Sequence, residues 1–193
     1  MAALVASIGV LDHAARRRGR PGEAYGSLVR TIVGQQLSTK AARTIYGRLA
    51  ALFGGKPPTP PELIAAEEEA LRAAGLSRQK IGYLRDLAAR VQSGELELDL
   101  LDELPDEEIS ARITAVKGLG QWSADMFLMF HLRRPDVLPV GDLGIRRAVE
   151  QLYRLPGLPD ADDLRTLAEP WRPWRTLACL YLWESLDAVP DPA

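Results

Sequence analysis

Residues Ile113–Leu128, with the sequence ITAVKGLGQWSADMFL, carry most of the information about the fold. They fit the pattern hxxhxGhGxxxAxxhh, in which h is an apolar residue. Gly118 and Gly120 predict a tight turn between two helices that other residues would strain, and Leu119 between them is expected to enter the core. Ala124 allows close packing of the second helix. The turn should leave backbone N–H groups free at the start of that helix, where the dipole attracts an anion such as a phosphate.

On both sides of this hairpin, apolar residues recur at the spacing of helices, and no segment has a convincing strand pattern. Ser38 and Ser77 are predicted to cap two of these helices, and Thr59 with Glu62 forms a capping box. The sequence therefore predicts an all-α fold. The expected helices cover about 25–33, 41–52, 59–73, 77–91, 105–114, 121–132, 143–153, 161–168 and 173–186.

The amino-acid composition excludes several classes of protein. The chain has 193 residues, of which 47% are apolar and 26% charged, as in a soluble globular protein. No apolar run approaches the roughly 20 residues that cross a bilayer, and the first residues do not resemble a signal peptide. We therefore predict a cytoplasmic protein with no membrane partner. A single cysteine, Cys179, excludes an internal disulfide and a thiolate-held zinc or iron–sulfur site.

The charges are distributed unevenly, although the net charge is only −2. Residues 16–48 contain eight basic residues and one acidic residue, whereas residues 62–110 contain five basic and thirteen acidic ones. This asymmetry predicts one positive face suited to a polyanion. Ordinary solvated helix surfaces explain the charge pattern equally well.

The hairpin resembles the helix-hairpin-helix motif of the DNA glycosylase superfamily that includes endonuclease III. In that superfamily a loop rich in glycine and proline follows the hairpin and ends in a catalytic aspartate, and VLPVGD places Asp142 at the corresponding position. Within the superfamily, the chain is similar to the 3-methyladenine DNA glycosylase II group from about Tyr25 onwards. Besides the hairpin, the similar motifs are IVGQQLS (32–38), GLSRQKIGYLRDLA (75–88) and WRPWRTLACLYLW (171–183).

This resemblance implies two helical lobes. The expected central helical domain covers residues 25–134, with the helix-hairpin-helix motif at about 109–132. The second domain is expected to combine residues 1–24 with 135–193 and to carry the catalytic aspartate at the cleft between the lobes. The amino-terminal sheet domain of some longer bacterial members is expected to be absent.

Asp142 has two possible roles. An aspartate that follows a glycine and precedes a helix is ordinarily an N-cap. Because the hairpin ends at Gly120, 22 residues earlier, the resemblance instead implies a catalytic carboxylate. Such a carboxylate would stabilise the positive charge that develops on the sugar and would orient a water. Capping and catalysis are compatible, since a capped carboxylate is held in place.

The resemblance also implies roles for other residues. Trp122, Met126 and Trp183 would line the base pocket, where aromatic faces attract a base made cationic by alkylation. Packing in the core is the alternative for each of them, and it is the role expected of Trp171 and Trp174. Trp122 stands where endonuclease III has its Schiff-base lysine, which implies hydrolysis without strand cleavage.

Three further groups of residues are expected to meet DNA. Gln36 or Leu37 would be the wedge that enters the duplex, although both are equally compatible with a simple helix end. Lys117, Gly118, Leu119, Gly120 and Ser123 would bind phosphate. The resemblance also implies a monovalent cation, Na⁺ or K⁺, held by the backbone carbonyls of Thr114, Val116 and Leu119, with no cofactor required.

These expectations converge on a monofunctional DNA glycosylase that removes 3-methyladenine and 7-methylguanine from double-stranded DNA by base flipping, acting as a monomer in base excision repair. Two alternatives remain open. The first is a glycosylase for mismatched or deaminated pyrimidines. The second is a DNA-binding helix-hairpin-helix protein without activity, since the hairpin by itself could contact phosphates.

Overall fold

The computed structural model describes residues 1–11 and 22–186, and this part of the chain contains eleven α-helices, two 3-10 helices and no strand. The all-α prediction is confirmed. In chain order the helices are α1 (Ala2–Ile8), α2 (Ala24–Gly34), α3 (Thr39–Ala51), α4 (Pro60–Ala65), α5 (Glu68–Ala73), α6 (Arg78–Gln92), a 3-10 helix (Leu98–Glu103), α7 (Asp106–Thr114), α8 (Gln121–Phe130), α9 (Leu143–Tyr153), α10 (Ala161–Ala168), a second 3-10 helix (Glu169–Trp171) and α11 (Arg175–Ser185).

The described residues divide into two compact units. One unit comprises residues 1–11 and 128–186, and the other comprises residues 22–127. Each unit has its own apolar core. None of the helices in the described ranges is long and apolar enough to cross a bilayer.

The core of the unit formed by residues 22–127 is built around α6, which packs against α2, α4 and α5. The helix begins where the Ser77 hydroxyl accepts a hydrogen bond from the Lys80 amide, at 3.2 Å. One face of the helix is buried because its apolar residues follow the helical repeat, and burying a leucine or isoleucine side chain contributes roughly 1.5–3 kcal/mol. The buried residues of α6 are Ile81, Leu84, Leu87 and Ala88.

The other unit has α11 at its centre, in contact with α1 and α9. Six consecutive residues of this helix, Ala178–Trp183, are buried, so the helix is covered on all sides. The polar atoms on this helix therefore need partners inside the protein. The Tyr181 hydroxyl donates to the carbonyl of Gly9, at 2.9 Å.

Several details differ from the sequence-based expectations, and α1 and the two 3-10 helices were not expected. The helix expected over residues 59–73 is broken, because Ala66 and Glu67 are extended and α5 begins anew at Glu68. Arg85 donates to the Ala66 carbonyl at 3.1 Å, which satisfies an acceptor that the break leaves without a helical partner. Trp174 was expected to pack in the core but is 60% exposed, whereas Trp171 is only 8% exposed.

Candidate active site and nucleic-acid interface

The hairpin between α7 and α8 depends on Gly118. This residue has a φ of 82°, in the left-handed region that favours glycine. A Cβ atom at this position would lie 2.1 Å from Cδ2 of Tyr83, so the tyrosine ring occupies the space of a side chain. Leu119 is 4% exposed and its amide donates to the Val116 carbonyl at 3.1 Å. The expected tight turn, with Leu119 inserted in the core, is therefore present.

Gly120 is different, and here the expectation of strain is wrong. Its φ is not positive, and a Cβ atom added to it would have no atom within 4 Å. The reason is that Gly118 alone makes the left-handed step, after which the chain enters the first turn of α8. The space in front of Gly120 is open, next to amides of the first helical turn that lack acceptors within the helix. This is the geometry that an approaching phosphate needs.

Asp86 on α6 holds the other side of the hairpin. Its Oδ2 accepts hydrogen bonds at 3.0 Å from the Lys117 amide and from Nε of Arg90. Lys117 Nζ lies 3.6 Å from Asp86 Oδ1, and the lysine side chain is 73% exposed. Burial would by itself raise the pKa of Asp86, but the hydrogen bonds and charges of Lys117 and Arg90 outweigh burial and lower the pKa. Sequence reasoning missed Asp86, whose only local signal was the spacing to Arg90.

The loop that follows α2 contains both wedge candidates. Gln36 is exposed and has a φ of 59°, and Leu37 is 37% exposed. Gln35 joins this loop to the hairpin, because its Nε2 donates to the Gly118 carbonyl at 2.7 Å. The predicted wedge loop and the predicted phosphate-binding turn are therefore neighbours. Ser38 caps α3 as expected, accepting a hydrogen bond from the Ala41 amide at 3.3 Å.

Helix α8 carries three of the predicted site residues. Trp122 is half-buried, while Met126 is 1% exposed and Ser123 is 4% exposed. The helix also buries a carboxylate that sequence reasoning missed. Asp125 is 6% exposed and accepts a hydrogen bond from Nε2 of Gln121 at 2.8 Å. The roles expected of Trp122, Ser123 and Met126 toward DNA stay predictions.

Asp142 is the N-cap of α9. The chain reaches it through a tight turn in which the Asp142 amide donates to the Pro139 carbonyl at 2.9 Å. Its side-chain Oδ1 accepts hydrogen bonds from the Ile145 amide at 2.8 Å and from Nε1 of Trp183 at 3.0 Å. The residue is only 7% exposed. The carboxylate is thus fixed and largely desolvated, which strengthens its interaction with any nearby positive charge.

Trp183 contacts this carboxylate through its indole N–H. The tryptophan is completely buried and stacks on Phe130, with ring centroids 6.0 Å apart and planes inclined by 22°. Gly144 makes the approach possible, because a Cβ there would lie 3.1 Å from Asp142 Oδ1 and 3.3 Å from Trp183 Cδ1. The sequence suggested Trp183 as an aromatic pocket residue, whereas the structure shows it as the hydrogen-bond donor to Asp142. Its proposed contact with a base stays a prediction.

Asp136 fixes the start of the loop that leads to Asp142. Its Oδ1 accepts from Nε of Arg175 at 2.7 Å, and its Oδ2 accepts from Nη1 of Arg172 at 2.6 Å. Burial would raise the pKa of Asp136, but the hydrogen bonds from Arg175 and the charges of Arg175 and Arg172 outweigh it and lower the pKa. The Thr176 hydroxyl donates a further hydrogen bond, to the Arg134 carbonyl at 2.7 Å. The loop is thereby tied to the first turn of α11, the helix that carries Trp183.

The sequence of this chain matches the family described as HhH-GPD superfamily base excision DNA repair protein over residues 29–173. This range contains the hairpin, the Asp86 contacts and Asp142. The chain therefore belongs to the HhH-GPD superfamily of base excision DNA repair proteins, and the resemblance drawn from its motifs is confirmed.

Individual relatives give a more detailed comparison. The chain is 38% identical to DNA-3-methyladenine glycosylase 1 of Schizosaccharomyces pombe, over 84% of this chain and 72% of the relative. The solved structure of S. pombe 3-methyladenine DNA glycosylase (Mag1) in complex with abasic DNA superimposes with a TM-score of 0.84 at 35% identity, covering 98% of this chain and 92% of that one. A DNA-3-methyladenine glycosidase from Bacillus halodurans superimposes with a TM-score of 0.76 at 44% identity, covering 84% and 75% of the two chains.

Proposed function

We propose that this protein is a monofunctional DNA glycosylase that hydrolyses the N-glycosidic bond of alkylated purines in double-stranded DNA, chiefly 3-methyladenine and 7-methylguanine. The observation that carries the proposal is the buried Asp142 carboxylate, held by Trp183 and by the amide of Ile145. The names of the similar proteins, which are 3-methyladenine glycosylases, support the class of substrate.

Asp142 would act at the sugar. Breaking the glycosidic bond builds positive charge on the deoxyribose, and a carboxylate that is already fixed stabilises this charge without having to reorganise. The same group would orient the water that attacks the sugar carbon. A purine alkylated at a ring nitrogen is cationic and departs as a neutral base with the electrons of the glycosidic bond, so no general acid is needed. Trp122 stands where related lyases have a lysine, so the reaction would end at an abasic site with the strand intact.

The hairpin would hold the DNA backbone. The amides at the start of α8, the open space at Gly120 and the exposed ammonium group of Lys117 suit a phosphate, which carries no sequence information. Gln36 or Leu37 would fill the space left by the flipped nucleotide, and both are exposed. Trp122, Met126 and Trp183 would form the pocket for the base. Flipping costs a few kcal/mol and is easiest for a damaged base, which contributes to selectivity.

A monovalent cation at the hairpin is part of the proposal. The carbonyls of Thr114, Val116 and Leu119 would hold it, and when bound it would add positive charge beside the phosphate. Thr114 is the last residue of α7, where carbonyls lack helical amide partners. The Val116 carbonyl accepts one hydrogen bond, from the Leu119 amide, which leaves its second lone pair for a cation. No cofactor is required by this chemistry.

A monomeric state and a cytoplasmic location belong to the same proposal. One nucleotide is processed at a time, so a single chain suffices. The single cysteine allows no disulfide within the chain, which suits a reducing compartment.

The test is base release from methylated duplex DNA by the wild type and by the Asp142→Asn variant. Neutralising the carboxylate should slow release at least about a hundredfold, since each ~1.4 kcal/mol of lost transition-state stabilisation is tenfold in rate. DNA binding should persist, because it is supplied by the hairpin. Equal rates for the two proteins would refute the assignment of Asp142.

The same preparations separate the alternatives. Release of uracil or a mismatched thymine without release of methylated purines would favour a pyrimidine glycosylase. Binding of DNA without release of any base would favour the second alternative, a DNA-binding protein without activity. Borohydride should trap no covalent adduct with DNA, and an adduct would show that an amine of this chain acts as a nucleophile.

A further inference from the structure

The loop with the wedge candidates has an unfavourable backbone conformation. Gln36 has a φ of 59°, in the left-handed region, where a residue other than glycine costs roughly 1–2 kcal/mol. Such a conformation persists only when the surrounding contacts fix it. The amide of Leu37 donates to the Gly34 carbonyl at 3.1 Å, which is one such contact.

Lys80 provides two further contacts to this loop. Its Nζ donates to the carbonyl of Val33 at 2.6 Å and to the carbonyl of Gln35 at 2.7 Å. These carbonyls lie at the carboxyl end of α2, where acceptors lack helical partners and the dipole favours a cation. Lys80 is half-buried, and this partial burial lowers the pKa of its ammonium group. The Lys80 ammonium group thus fixes the position of Gln35, the residue directly before Gln36.

Residues on one side of α6 contact both the loop after α2 and the hairpin. Tyr83, three residues after Lys80, packs its ring against Gly118, while Gln35 donates to the Gly118 carbonyl at 2.7 Å. Residues three apart on a helix lie on one face. One face of α6 therefore contacts the loop through Lys80 and the hairpin through Tyr83.

We propose that Lys80 is a positioning residue for base flipping, which holds the wedge loop in a fixed place relative to the phosphate-binding hairpin. The proposal rests on the proposed function. It assigns Lys80 no contact with the reacting atoms. A misplaced wedge should make extrusion of a paired nucleotide less favourable. It should not change the rate of the hydrolysis that follows extrusion.

The test compares two substrates with the Lys80→Met variant, which keeps the aliphatic stem and removes the ammonium group. One duplex carries 7-methylguanine opposite cytosine, and the other carries the same lesion opposite an abasic-site analogue, so that it is unpaired. We expect single-turnover release from the paired duplex to slow about tenfold or more, and release from the unpaired lesion to change less than about threefold, because extrusion of an unpaired base needs less help. A purely structural role would slow both equally.

Two variants serve as controls. Lys80→Arg keeps donors for both carbonyls and should release the base from the paired duplex at close to the wild-type rate. Arg78→Met changes a cation on the same helix that is 80% exposed and pairs with Glu68 at 3.4 Å, and it should leave both rates unchanged. Thermal unfolding of each variant shows whether the rates refer to folded protein.

A second measurement follows flipping without excision, from the fluorescence of 2-aminopurine next to the lesion. Lys80→Met should lower the rise in fluorescence on binding, whereas Asp142→Asn should not. Equal slowing on both substrates, or an unchanged ratio with unchanged fluorescence, would overturn the role of Lys80. A wild type that gives the fluorescence rise but releases no base would contradict the proposed function alone, and one that does neither would overturn both.

Discussion

At the scale of single residues, the site depends on how Asp142 is held. Capping fixes one of its oxygens to the Ile145 amide, and the indole N–H of Trp183 approaches the same oxygen from another helix. With the N-cap hydrogen bond alone, the carboxylate could still rotate and be hydrated, as at the start of most helices. The tryptophan removes that freedom, and Gly144 keeps the space between them clear.

Trp183→Phe should therefore slow base release about tenfold, or ~1.4 kcal/mol, with little effect on DNA binding. The phenyl ring keeps most of the packing with Phe130 but leaves the buried carboxylate without one donor, which should also reduce the free energy of unfolding by about 1–3 kcal/mol. Single-turnover rates and urea denaturation measure the two effects.

Trp171→Phe is the matched control, because Trp171 makes a similar hydrogen bond, from its Nε1 to the Tyr153 hydroxyl at 3.3 Å. It should lose about 1 kcal/mol of stability with no change in rate. If both variants slow release to the same extent, the Trp183–Asp142 hydrogen bond has no special part in the reaction.

At the scale of elements, the two glycines of the hairpin have different tasks. The sequence pattern treats Gly118 and Gly120 alike. In the structure, Gly118 is left-handed and lies against Tyr83, whereas Gly120 has an ordinary backbone and open space in front of it. The backbone conformation requires a glycine at position 118 but not at position 120, where the open space is the proposed place for a phosphate.

Gly118→Ala should lower the free energy of unfolding by about 2–4 kcal/mol, from left-handed strain together with the clash against the Tyr83 ring. Gly120→Ala should change it by about 0.5 kcal/mol or less. If a phosphate approaches here, Gly120→Ala should nevertheless weaken DNA binding, because the added methyl group enters the open space. Urea denaturation and a fluorescence-anisotropy titration test this, and equal destabilisation by the two variants would contradict it.

At the scale of the whole molecule, the net charge of −2 hides the local charges on which DNA binding would depend. The side chain of Lys117 is 73% exposed and lies 3.6 Å from Asp86, a pair that contributes little to stability in water. Its ammonium group is therefore available to a phosphate at small cost. The protein needs only a few such groups, placed beside the hairpin, to bind a polyanion.

Lys117→Gln should weaken DNA binding and reduce the slope of log K against log salt concentration by about 0.9, the value for one lost phosphate contact. Arg112→Gln is the comparison, since Arg112 pairs with Glu108 at 2.7 Å on α7 and should leave the slope unchanged. Binding isotherms at several salt concentrations give both slopes. A similar reduction in both variants would mean that general charge, not a placed contact, governs binding.

The amino-acid sequence by itself determined the all-α class, the hairpin with Leu119 in its core, the caps at Ser38 and Ser77, and Asp142 as the residue to test. The helices, the hairpin and the caps depend on neighbours within a few positions along the chain, where helical periodicity and capping chemistry act, whereas the catalytic role expected of Asp142 came from the resemblance to the glycosylases. Its motifs also determined the family.

Only the tertiary structure decided which groups hold these features in place. Lys80 reaches Val33 across 47 positions, Trp183 reaches Asp142 across 41, and Lys117 reaches Asp86 across 31. Local patterns contain no record of such partners, because a side chain of ordinary type becomes a positioning group only when folding brings a particular carbonyl, amide or carboxylate within about 3 Å of it. The break between α4 and α5 and the exposure of Trp174 were missed for the same reason, since both depend on what packs against them.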